Sequence, residues 1–210
     1  MRFMGACAGV TIALSCAIAA PGMAQDRLPE IPSDKLTYAQ REAARTFQED
    51  RGVPVFGPFV PLLRSPELML RAMSMGDYLR YHNALPQKIT EFVILITARE
   101  WTQQLEWQIH QPIAIKAGLA PAIADAVSRG ERPKGMDDAE EIAWEFSTQL
   151  HHDKKVDDKT WARAVAKFGE QGVIDMAGTN GYYDFLAMSM SAAQTAPDPS
   201  KPMLPVLPKH

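Results

Sequence analysis

Five consecutive residues, Glu106-Trp107-Gln108-Ile109-His110, set a carboxylate four positions before an imidazole. At helical pitch that spacing puts both side chains on one face, within reach of each other. The pairing is chemically useful. The carboxylate fixes the ring tautomer and raises its proton affinity, and the ring titrates near neutral pH. His110 therefore reads as a general acid/base and Glu106 as the group that orients it. A second carboxylate, Glu91, lies upstream. On a solvated helix face the same pair would only steady the helix. The surroundings of His110 discriminate: a closed pocket favours catalysis, a solvated pair a non-catalytic binding or scaffold protein.

Other side chains are candidates for holding a substrate. Arg99 could grip a carboxylate bidentately or serve a structural ion pair. Trp107, like Trp101, could line a pocket or fill the core. Tyr182 and Tyr183 follow Gly181 in the last expected helix, and one of them could face the site. His151 and His152 sit near a helix end, where the dipole favours a cation, and read as structural. Glu91, Glu106 and His110 would make a conceivable metal set, but no His-Glu-x-x-His motif is present, so neither metal nor cofactor is expected. On one unbroken helix Glu91 and Glu106 would stand about 22 Å apart. They share a site only if the chain turns near Trp101-Thr102-Gln103-Gln104, or if a neighbouring subunit supplies one of them.

The elements that must position these groups all read as helices. Thr37 to Gln40 and Asp137 to Glu140 are capping boxes. Ser65-Pro66-Glu67 combines an N-cap, a first-turn proline and an acid at the positive helix end. Leu68, Met69, Ala72, Met75 and Leu79 then recur as one buried stripe. A helix from Pro86 to Arg99 carries a wide apolar arc and belongs at the centre of the core. The next run ends at Gly118, with Pro112 expected to kink or restart it. A short helix lies between Pro121 and Gly130, and two more flank Gly169. Strand-like alternation is absent, so the fold class is all-α.

The segments Leu85-Pro86 to Arg99, Glu106 to His110 and Ala117-Gly118-Leu119 together resemble the carboxymuconolactone decarboxylase family, which includes alkylhydroperoxidase D-type proteins. Gly57-Pro58-Phe59, Leu63 to Leu68 and Gly181-Tyr182-Tyr183 extend the resemblance over most of the chain. It implies a compact multi-helix domain of that type, here with an N-terminal helical extension, and a homo-oligomer, trimer or hexamer. In the peroxidase branch a helix glutamate precedes a Cys-x-x-Cys and a histidine. Glu91 and His110 match that glutamate and histidine, while Gln103 and Glu106 stand where the cysteines would be. Thiol peroxidase chemistry is therefore not expected. The branch without the cysteine pair implies decarboxylation of a small lactone acid, with His110, Glu106 and Glu91 in the proton path. The expected partner is a small organic acid or lactone.

Composition bounds the rest. A net charge of -3 and no basic cluster exclude a nucleic-acid footprint. Arg2, the apolar run Ala6 to Ala20 and the small residues to Ala24 read as a signal peptide spanning residues 1–24, with export to the periplasm or medium. A lipid attached at Cys16 is the minor alternative. Residues 25–35 form a linker, 36–194 the helical domain and 195–210 a proline-rich arm or disordered end. Cys7 and Cys16 are the only cysteines, and both precede Ala24, so the mature chain would carry no thiolate, no disulfide and no transmembrane segment.

Overall fold

The computed structural model describes residues 26–207; the expected leader and both cysteines lie outside the described residues. Thr37 accepts a hydrogen bond from the Gln40 backbone and receives its side chain in return, opening α1 (Tyr38–Arg51), which closes on left-handed Gly52. A single turn, α2 (Phe59–Leu62), interrupts the loop that follows. Pro66 starts α3 (Pro66–Tyr81), but the Ser65 side chain caps nothing. The buried face of α3 is Met69, Ala72, Met73, Gly76 and Leu79, whereas Leu68 and Met75 are exposed. The expected stripe is thus rotated by one step, because Met73 and Gly76 rather than Leu68 and Met75 complete the three-and-four spacing from Met69.

In α4 (Gln87–Glu100) every residue from Ile89 to Arg99 is buried. Such an all-round apolar helix must be enclosed, and α4 is: it packs against α5 (Gln104–Lys116), α6 (Pro121–Ser128), α7 (Asp138–Asp153), α8 (Asp158–Ala193) and α3. Helix α5 runs through Pro112 without interruption; the missing N–H forfeits one bond, to Gln108 O, rather than the helix. The Asp137/Glu140 capping box opens α7 as expected. In α8 the backbone of Gly169 (φ 70°, ψ 170°) departs from helical geometry, so this glycine divides it into the two expected halves. The fold is all-α, with no strand among the described residues. None of the described helices is long and apolar enough to cross a membrane.

Two apolar clusters meet along α4. One, with Phe92, Phe146 and Met176, lies among α4 to α8; the other, with Phe47, Phe59, Met69 and Leu186, joins α1, α2 and α3 to α8 and Ile94 of α4. Of the candidate residues, Glu106, His110, Tyr182 and Tyr183 lie where the second cluster covers the α4–α5 hairpin.

The proline-rich segment after Thr195 is not a free arm through residue 207. Leu204 is buried in the first cluster. Gln104 donates to Leu204 O and accepts from Leu204 N, at 3.0 and 2.7 Å. Gln108 does the same for Asp198, donating to its carbonyl and accepting from its N–H, both at 3.0 Å. The two glutamine amides of α5 satisfy backbone groups that no helix or sheet serves, which lets an irregular segment pack.

Candidate functional site

The site begins with a turn that carries neither glycine nor proline. Trp101 to Gln103 reverse the chain, with Thr102 in the left-handed region at φ 50°. Gln103 N donates to Ala98 O, and the Gln103 side chain accepts from Leu105 N to cap α5. A β-branched residue is strained at positive φ; the hydroxyl of Thr102 offsets this by accepting from Arg99. The reversal lays α5 back along α4, so residues nearly equidistant from Trp101 come together. Glu91 and His110 are such a pair.

Oε2 of Glu91 lies 2.7 Å from Nδ1 of His110. The other oxygen of Glu91 accepts from Gln87 at 3.1 Å. Both residues are buried, Glu91 at 0% and His110 at 5% exposure. The carboxylate that orients the imidazole is therefore Glu91, not Glu106 as the spacing within α5 suggested. Helix α4, packed on this face, brings a competing carboxylate to Nδ1. Burial pushes the His110 imidazole below its ordinary value, and the bond to Glu91 opposes that shift. A neutral ring that donates to Glu91 through Nδ1 keeps Nε2 as an acceptor.

Glu106 is 1% exposed, and neither of its oxygens has a hydrogen-bond partner. Burial, with Asp184 adding like-charge repulsion, pushes its carboxyl well above the ordinary glutamate range. It is held as a neutral acid with a proton to give. Across from it stand two tyrosines from α8. The Tyr183 ring meets His110 edge-on at 5.1 Å, and Tyr182 meets Tyr183 edge-on at 5.2 Å. Burial raises both phenols, so they remain neutral hydroxyls. Tyr182 fits because Gly76 of α3 has no side chain: a Cβ there would stand 2.4 Å from the tyrosine oxygen.

Glu106, His110, Tyr182 and Tyr183 line a cavity of about 30 Å³ together with Arg51, Arg80 and apolar residues of the α1–α2 loop and α2. That is room for a water or two, or one small functional group. Arg51, Phe56 and Arg80 also line an outer cleft of about 500 Å³ that includes Asp50, Asp77, Tyr81 and His82. These three residues lie between the two spaces and line both.

No family model matches the chain, and no curated protein matches it.

The remaining candidates fall elsewhere. Arg99 donates to Ser128 O and Pro205 O at 2.9 and 2.8 Å, fastening the end of α6 and the C-terminal segment. It has no place in the His110 cavity and no ion-pair partner in the described structure, so neither reading offered by the sequence holds. Trp107 is buried in the first core cluster, and its remaining exposure faces a separate groove beside Lys201, Pro202 and Met203. One position beyond Glu106, it is turned 100° around α5 and away from the cavity. His151 is structural as expected, with Nε2 3.0 Å from Asn180 Oδ1 and 3.2 Å from Thr97 Oγ1. Among the described residues no three His, Cys, Asp or Glu side chains converge to hold a metal ion. Arg51, Arg80 and Gly76 were not singled out by the sequence. They come from α1 and α3, far from the Glu106–His110 segment, and no local pattern ties them to it.

Proposed function

We propose that the protein is an exported carboxymuconolactone decarboxylase-like enzyme that moves protons on a small lactone or carboxylic acid, by decarboxylation or related lyase chemistry. The observation that carries this reading is the contrast between two titratable groups that line one small cavity. His110 is held toward its neutral, proton-accepting form and Glu106 toward its neutral, proton-donating form. A base and an acid kept apart in this way suit proton transfer near neutral pH. In a decarboxylation the bond between the substrate carbon and its carboxylate breaks, carbon dioxide leaves, and the electron pair remains as a carbanion or enolate. Glu106 delivers the proton that quenches it and is reprotonated from water. Nε2 of His110, its ring fixed by Glu91, takes the proton where a substrate O–H or C–H must first be lost. The resemblance of Glu91 and His110 to the family's glutamate and histidine supports the same assignment.

The test is carbon dioxide release by the purified full-length protein across a panel of lactone acids and keto acids. His110→Gln is expected to lower turnover by about 10²–10⁴-fold with helix content intact. Equal turnover in that variant removes His110 from the mechanism, and silence of the wild type across the panel rejects the enzyme reading.

A further inference from the structure

The inner cavity is too small for a whole substrate, so whatever reacts at His110 must leave most of its bulk in the outer cleft. A cleft of about 500 Å³ is of ordinary ligand size. The groups that line both spaces decide which bulk is accepted. Arg51 is already engaged, donating to Asp77 Oδ1 at 2.6 Å. Arg80 is not engaged in the same way. Its side chain is 15% exposed and makes no hydrogen bond among the described residues; its contacts are a long ion pair to Glu91 at 3.7 Å and a cation–π contact with the Tyr81 ring at 5.0 Å. Glu91 shares its charge among three partners, since its two oxygens also serve Gln87 and His110. A guanidinium held at the mouth of a cavity with unmet donors is matched by a planar anion. Of the two acids in the cleft, Asp77 is neutralised by Arg51 and Asp50 is the other.

We infer that Arg80 is the anchor for a carboxylate of the substrate, and that the cleft selects small organic anions whose reacting end enters the His110 cavity. This rests on reading that cavity as a substrate site. The role given to Arg99 by the sequence passes to Arg80, which faces the space where Arg99 does not.

Binding, rather than turnover, tests it. Isothermal titration calorimetry of the full-length protein with the lactone carboxylate paraconate, its uncharged methyl ester and benzoate separates charge recognition from shape. The wild type is expected to bind paraconate at least about tenfold more tightly than the ester. Arg80→Gln removes that preference while leaving the ester's affinity unchanged. Arg80→Lys, which keeps the charge but not the fork, recovers part of it, and Arg99→Gln keeps all of it. Equal affinity of Arg80→Gln and wild type for paraconate overturns the assignment, as does a wild type that binds neither paraconate nor benzoate. If the anion binds through Arg80 but no substrate turns over, the enzyme reading fails and the anchor stands.

Discussion

Glu91 and His110, on facing helices of one hairpin, are joined by a 2.7 Å contact between Oε2 and Nδ1, with both side chains buried. Each of the two is individually costly to bury, and the pairing is what offsets the cost. It also leaves one ring nitrogen pointed at the cavity, in a defined tautomer.

Removing the carboxylate should therefore act on the ring. In Glu91→Gln the group that raises the proton affinity of His110 is lost while burial, which lowers it, remains. The acid limb of the pH–rate profile is expected to move to lower pH, with turnover reduced about a hundredfold or more. A limb that stays in place would show that His110 does not set it.

Glu106 gives the opposite linkage. The unfolded chain releases this proton near the ordinary value of 4.5, while the folded protein retains it to higher pH. In that window the folded state binds more protons, so stability falls as pH rises, by up to about 1.4 kcal/mol per pH unit. Glu106→Gln has no such loss. Its Tm should match the wild type below about pH 4 and exceed it by up to about 3–6 °C for each pH unit climbed within the window. Parallel Tm curves for the two proteins would refute a buried neutral acid.

Gly76→Ala places a methyl group against Tyr182, with Cζ at 2.9 Å as well as the hydroxyl oxygen at 2.4 Å. Overpacking of this kind costs about 1–3 kcal/mol, so thermal unfolding should fall by roughly 3–10 °C. Tyr182→Phe in the same background should return part of that loss, since the closest atom is gone. A strictly additive double mutant would contradict the contact.

Leu204→Ala tests the docking of the C-terminal segment. Leu204 is 3% exposed within the main core, so the loss is expected to be about 2–4 kcal/mol, and limited proteolysis should cut after Thr195 more readily. A loose arm would show neither change.

Much of the architecture was legible because it is written locally. Thr37 with Gln40, and Asp137 with Glu140, announce helix starts in four residues, and the unbroken apolar arc from Ile89 to Ala98 can belong only to a central helix. The site was half legible for the same reason. Glu91, Glu106 and His110 lie on one stretch of chain, but which carboxylate meets the ring depends on how two helices pack. Arg80 and Arg99 look alike in sequence; only the tertiary arrangement sends one to the cleft and the other to carbonyl groups behind it. The C-terminal segment escaped because its order comes from Gln104 and Gln108, whose amides stand in for secondary structure.

The hairpin of α4 and α5 has a wider consequence. In the proposed enzyme, everything that handles the proton is carried by one contiguous piece of chain, closed by a three-residue turn. Everything that decides what reaches it, from Arg51 and Arg80 to Gly76 and the two tyrosines, is lent by helices distant in sequence. Reactivity and selectivity are thus inherited separately. Divergence in the surrounding helices can retarget the catalyst without rebuilding it, and two such proteins could share their acid and base yet act on molecules with nothing else in common.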